Sequence, residues 1–187
     1  MGLRLPFKAF VHQRYVTRPL PYPVRIPAIN ANPLGGYIRA SGSRLLVGCE
    51  TPEREEFRVT STDFHQSTLS AAPELREQVM KVFSPLVPDL AKTSIESERV
   101  GLIAFSMDGE PILGPVAKLP GLYVGLAFHS GGFAYNPAAG FLLAEYVAEG
   151  KTSIDVKAFA PDRFATEDVA GYLATTFAQK DSFRRRH

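Results

Sequence analysis

The 187 residues contain no tryptophan and a single cysteine, Cys49, and 21 Lys and Arg nearly balance 19 Asp and Glu. One cysteine excludes an internal disulfide framework and a cysteine metal cluster, and points to a reducing compartment, the cytoplasm. No metal site is expected. A net charge of +2 offers no basic face for nucleic acid and no polybasic patch for a membrane surface. No apolar run approaches the roughly 20 residues needed to cross a bilayer, and the N-terminus lacks a signal-peptide core. Internal repeats and low-complexity tracts are also missing. A chain of this length buries roughly 70% of its unfolded surface, enough for a substantial core.

What is present reads as strands first and helices later. Phe7 to Thr17 alternates with period two and is rich in β-branched and aromatic residues, as a half-buried strand requires. Arg18 to Gly36 is crowded with prolines, which exclude helix and central strand, so an extended surface connector is expected. Tyr37–Arg39 and Arg44–Glu50 form a hairpin through Ser41-Gly42-Ser43. Glu53, Arg54, Glu55 and Glu56 read as a solvated face, with His65 exposed beyond them. Pro73 to Phe83 places Leu75, Val79, Val82 and Phe83 on one helical face, and Pro85 and Pro88 end it. Ile95 to Phe105 is a strand, wholly apolar in its second half.

The stretch GLYVGLAFHSGGFAYNPAAGFLLAEYVAEG, residues 121–150, organises the rest. Leu122 to Ala127 is a short buried strand. Asn136 suits an N-cap, Pro137 the first helical position, and Gly150 the helix stop. Between strand and helix lies a loop with Gly131 and Gly132, flanked by Phe128 and Phe133. Such a joint aims unpaired N–H groups and a positive helix end at one spot, which favours an anion or a developing negative charge. Met107 to Pro115 upstream reads as a tight turn and short strand. Phe159 to Phe164 downstream reads as a turn that locks the end of the chain, and Val169 to Phe177 looks helical. The terminal Arg184-Arg185-Arg186-His187 is read as a basic tail.

Three of these pieces resemble the C-terminal half of the FAD-dependent amine and amino-acid oxidoreductases, the family of D-amino-acid oxidase, glycine oxidase, sarcosine oxidase and dimethylglycine dehydrogenase. The carriers are the turn Asp108-Gly109-Glu110-Pro111-Ile112-Leu113-Gly114, the loop Phe128-His129-Ser130-Gly131-Gly132-Phe133, and the closing Phe159 to Phe164. Phe10 to Thr17 resembles the family's H-Q-Y-x-V-T strand, and Tyr37-Ile38-Arg39 with Leu45-Leu46-Val47-Gly48 its Y-I-R … L-L-V-G hairpin.

The resemblance implies an α+β fold: a mixed, mostly antiparallel sheet with packed helices, residues 1–115 like the substrate domain and 116–187 like the terminal FAD-domain segment. It implies FAD, bound non-covalently, with Gly114, Phe128, Ser130, Gly131, Gly132, Phe133 and Ala134 as cofactor-binding residues. His12 and His129 are the candidate catalytic side chains. For each the bland alternative stays open: a hydrogen-bonded sheet histidine at 12, a loop-capping histidine at 129. The implied reaction oxidises a C–N bond of a small amine or N-methyl amino acid, with the first helix amides facing the negative charge gained by the ring.

Departures matter as much. No G-x-G-x-x-G occurs, so the half that holds the pyrophosphate is expected from a partner polypeptide, and FAD binding only together with it. Homo-oligomerisation is a further expectation, since half of an ordinarily continuous core would be exposed. Ile103 stands where amino-acid oxidases carry a carboxylate-clamping arginine, leaving His12, Arg14 or Arg39 as substitutes. Gly101 occupies the place of the cysteine that tethers flavin in some sarcosine-type members, and Ala134 that of a lysine following G-G-F. The alternatives to an enzyme half are a non-catalytic ligand-binding or assembly subunit and a remnant without independent activity.

Overall fold

A computed structural model describes residues 3–31, 35–49, 56–70 and 72–175. It is an α+β fold with mostly antiparallel pairing, as the sequence led us to expect. The elements are β1 (Phe7–Thr17), β2 (Ile29–Ala31), β3 (Gly36–Ser41), β4 (Arg44–Cys49), β5 (Glu56–Phe57), α1 (Pro73–Phe83), β6 (Ile95–Ser106), β7 (Ile112–Pro115), β8 (Tyr123–Leu126), α2 (Gly132–Glu149) and α3 (Val169–Ala174). The chain forms two compact units, one from residues 11–55 and 59–102, the other from residues 1–10, 56–58 and 103–187.

In the first unit, β2, β3, β4 and β1 lie side by side, and β6 also pairs with β1. The β3–β4 hairpin runs from Gly36↔Cys49 to Ser41↔Arg44. Its turn is closed by Gly42 at φ +63°, where a side chain would be strained. Tyr15 pairs with Val47 across β1 and β4. Because side chains alternate across a strand, Tyr15, Ile38, Leu45, Val47 and Cys49 share one face. They pack there against Val79 and Phe83 of α1. Each such fully buried apolar side chain contributes about 1.5–3 kcal/mol. Arg44–Glu96 at 2.6 Å and Arg76–Glu98 at 2.9 Å lie in partly exposed positions, where solvent screens such pairs.

The proline-rich connector holds one surprise. Ile29–Ala31 pairs with β3 as a three-residue edge strand. The segment lies between Pro27 and Pro33, and these three residues are free of proline, so their N–H groups can join the ladder.

The second unit is built on the β7–β8 hairpin, with Ile112 opposite Leu126 and Pro115 opposite Tyr123. α2 packs on it, burying Leu113, Ala139, Leu142 and Val156 with Phe128, Leu143, Tyr146 and Phe159 alongside. Arg163 fastens the closing turn to the β6–β7 turn. Its Nε and Nη2 donate to Asp108 at 2.8 and 2.9 Å, and its other N–H groups reach the carbonyls of Phe159 and Glu110.

Glu56 does not lie on a solvated face. It is almost fully buried, 3.1 Å from the buried Lys8 Nζ, and Arg58 Nε donates to it at 2.8 Å. Ala9 pairs with Phe57 and Phe10 with Glu56, so the register carries Glu56 inward. Lys8 also donates to the Thr175 carbonyl and lies 4.8 Å from the Tyr172 ring centre, which fastens α3. Residues 53–55, Phe177 and the terminal basic tail lie outside the described residues.

Candidate functional site

The loop between β8 and α2 is held by strain and aromatic stacking. Ala127 at φ +59° and His129 at φ +43° both occupy the left-handed region without being glycine, each costing on the order of 1 kcal/mol. Packing maintains them. Phe128 bridges to Phe105. The His129 ring stacks on Phe105, with centroids 5.9 Å apart and 10° between planes, and stands edge-on to Tyr135. A Cβ on Gly131 would come within 2.5 Å of the Tyr135 ring, so only glycine lets these rings close.

His129 is half-buried, and its Nδ1 accepts from the Gly131 N–H at 3.2 Å. Burial pushes the imidazole below its ordinary pKa, against an opposing pull from Glu110. The ring is therefore neutral near pH 7, with its proton on Nε2. Gly131 N–H also reaches the Phe128 carbonyl at 3.1 Å. That amide is thus committed within the loop.

α2 starts at Gly132 after a short 3-10 turn over His129–Gly131, and no side chain caps it. The helix macrodipole adds positive potential at this end of α2. Phe133 is 97% exposed. Asn136 is not the N-cap and Pro137 is not the first helical residue: the helix begins upstream of both, with Pro137 inside it. The 3-10 turn already sets helical backbone at Gly132, so α2 propagates from there. Pro137 then removes the bond to the Phe133 carbonyl in an exposed turn.

The expected cofactor residues divide. Phe128, Ser130, Gly131, Gly132, Phe133 and Ala134 are contiguous around the helix start, with Ser130, Phe133 and Ala134 exposed. Gly114 lies apart from them. It sits at φ +128° beside Tyr146 and Pro161, at the far end of α2, about 21 Å along the helix from Gly132.

His12 belongs to the other unit. It lies on the face of β1 opposite α1, and its Nε2 is 3.3 Å from the Tyr37 hydroxyl. Sequence reasoning placed Tyr37 and Gly48 in the hairpin but gave neither a role at the site. These two sit opposite one another in the hairpin, and a Cβ on Gly48 would lie 2.2 Å from the Tyr37 ring. The glycine lets the phenol fold flat toward β1. Its signal was a glycine inside a strand, where close approach of another group is the usual reason.

Among the described residues, no three His, Cys, Asp or Glu side chains converge as a metal site, and no helix is long and apolar enough to cross a membrane. The start of α2 has no side-chain cap and no acidic residue in its first turn, which fits an anionic, planar ligand edge such as that of a flavin.

Comparison with known proteins gives the family. The beta subunit of sarcosine oxidase from Rhodobacter capsulatus is 24% identical over 180 residues, which cover 92% of this chain and 40% of that protein. Glycine oxidase from Pseudomonas aeruginosa is 30% identical over 117 residues, 63% of this chain and 29% of that enzyme. This chain thus spans well under half the length of these relatives. Among solved structures, L-proline dehydrogenase from P. horikoshii superposes with a TM-score of 0.71 at 24% identity, covering 89% of this chain and 42% of that one. Glycine oxidase from Geobacillus kaustophilus gives 0.69 at 24% identity, covering 87% and 40%. The profile of the DAO family, FAD dependent oxidoreductases, matches residues 1–146. With that match across most of its length, the chain belongs to the FAD-dependent oxidoreductase family.

Proposed function

We propose that this chain supplies the substrate-facing sheet and the flavin-contacting helix of an oxidoreductase that oxidises a C–N bond in a small amine or N-methyl amino acid. Its dinucleotide-binding half would come from polypeptide outside these 187 residues. The observation that carries the reading is the uncapped, solvent-open start of α2, directly after a strained glycine loop, in a chain of this family. FAD, when bound, supplies the two-electron acceptor for the C–H bond beside the amine nitrogen.

The chain's own residues act around that step. Backbone donors at Gly132 to Ala134 present positive potential to the electron-rich edge of the ring. Helix ends of this kind contribute about 0.3–1 kcal/mol, and up to ~2 when partly buried. His129, neutral and bonded to Gly131, holds the loop in shape, which favours a positioning role over proton transfer. His12, tied to the Tyr37 hydroxyl, orients that phenol on the sheet.

Co-expression with a dinucleotide-binding half from a sarcosine oxidase relative tests the reading. The expected outcome is a yellow complex bleached by N-methylglycine under anaerobic conditions. A colourless complex would overturn the reading. Phe133→Pro removes one helix-start donor while respecting helix geometry at the second position, and should weaken flavin retention.

A further inference from the structure

α3 is attached differently from the two longer helices. α1 buries Val79 and Phe83 and α2 buries Ala139 and Leu142, whereas none of the six residues of α3 is fully buried. A helix so short does not persist on its own propensity. Polar contacts hold it instead. The Asp168 carboxylate caps its start, accepting from the Gly171 N–H at 2.8 Å. At its end the Thr175 carbonyl accepts from the Lys8 ammonium and, at 3.4 Å, from Arg58 Nη2. The Tyr172 ring centre lies 4.8 Å from Lys8 Nζ. All of these residues belong to one compact unit.

Both cations of that grip have a second partner on β5. Lys8 Nζ is 3.1 Å from Glu56 Oε2, and Arg58 Nε donates to Glu56 Oε1 at 2.8 Å. Glu56 Oε2 is buried yet accepts no hydrogen bond, although the ammonium stands beside it. A buried carboxylate oxygen without a donor is destabilising. The Lys8 ammonium thus reaches two acceptors, the Thr175 carbonyl and Glu56 Oε2, and donates to the first. Lifting α3 removes the first and lets a turn of the Lys8 side chain satisfy the second. Parting an ordinary buried contact of this kind strands a charge, but here the counter-ion stays in place. We propose that α3 is a strap with two positions. Closed, Lys8 donates to Thr175. Open, Lys8 donates to Glu56 and the β1–β5 end of the sheet is uncovered, while the β7–β8 hairpin and α2 stay folded. Weakly packed elements open locally in this way, without global unfolding.

Amide hydrogen exchange on the 187-residue chain tests this. The N–H groups of Tyr172 and Thr175 bond to the carbonyls of Asp168 and Gly171 in the closed strap, so their exchange reports its opening. They should exchange about tenfold or more ahead of the amides between Ala139 and Tyr146 in α2. Lys8→Met removes the donor to Thr175 and should speed exchange at Thr175 by about tenfold or more. Glu56→Gln takes the charged acceptor from the open position and should slow it by about tenfold or more. A merely structural ion pair would give acceleration in both variants. Tyr172→Leu leaves Lys8 and Glu56 in place, removes the ring contact, and should speed exchange at Thr175 roughly two- to fivefold. It carries the test where Lys8→Met does not fold. Arg44→Gln, in the other unit, should change nothing. Exchange of the strap amides in step with α2, an unchanged rate in Lys8→Met or Tyr172→Leu, or a rate in Glu56→Gln that rises or stays the same would each overturn the strap.

Discussion

α1 and α2 are both helices packed on strands, yet they treat their circumferences differently. α1 buries Val79 and Phe83 and sends Glu74, Arg76, Glu77 and Lys81 to solvent, the usual economy of a surface helix. α2 is apolar nearly all round. It buries only Ala139 and Leu142 and leaves Phe133, Phe141 and Val147 at 97%, 61% and 64% exposure. A helix that is hydrophobic on every side belongs in an interior. The first unit is thus finished by its own residues, whereas α2 presents a surface suited to being covered. That fits a chain spanning about 40% of the length of its sarcosine oxidase relative.

Four substitutions or titrations sharpen this contrast. The largest effect belongs to α1: Phe83→Ala should cost about 3–5 kcal/mol, read by denaturant unfolding followed by circular dichroism. A loss below ~1 kcal/mol would mean that α1 is no better seated than α2.

Asp108 comes next. Burial opposes its charge, but the Arg163 hydrogen bonds, the Glu110 N–H and the Ser106 hydroxyl outweigh it and hold the carboxyl below its ordinary pKa. A depressed carboxyl stabilises the fold above its unfolded value near 3.9, and that stabilisation disappears as pH falls through the lower folded value. Because the side chain is 41% exposed, Asp108→Asn should cost about 1 kcal/mol at pH 7. The gap from wild type should close by pH 2, as measured by thermal melts.

His129 should show a smaller, opposite-charge effect over a different range. Its lowered pKa means that protonation is disfavoured in the fold, so its contribution is complete above about pH 6.5 and fades as pH drops through that value to the folded one. An imidazole titration by NMR should place its midpoint below 6.5. A midpoint above it would break the Nδ1–Gly131 assignment.

The smallest change in stability is expected at Phe141→Ser, within ~0.5 kcal/mol. Self-association in sedimentation should nevertheless fall, because an exposed apolar patch shrinks. Unchanged sedimentation would remove the case that α2 awaits cover.

Local pattern made some elements readable end for end. The bounds of β1 and α1 in the fold are those of the pattern, although the buried set of β1 passes from Lys8 and Phe10 to Gln13, Tyr15 and Thr17. The hairpin was equally plain, since Gly42 sits where the turn needs positive φ. Errors arose where a distant partner decided. Glu56 looks solvated until Lys8 is brought beside it by β1–β5 pairing, which no local window contains. The start of α2 was obscured by Asn136-Pro137, a good cap signal overridden by the turn at His129–Gly131. At the site, the glycine loop was legible as a motif, but the commitment of Gly131 N–H to His129 was not, because it depends on the left-handed backbone at His129 itself. Tyr37 and Gly48 needed strand register before their contact meant anything.

The tie between Lys8 and Thr175 bears on how the chain emerges from a ribosome. The unit made from residues 11–55 and 59–102 is fully extruded while the later helices are still being translated, and domains generally fold as units as they appear. Lys8, by contrast, can meet Glu56 early, but its bond to the Thr175 carbonyl must wait until α3 has been made. One side chain of β1 is therefore completed in two steps, first by Glu56 and much later by Thr175.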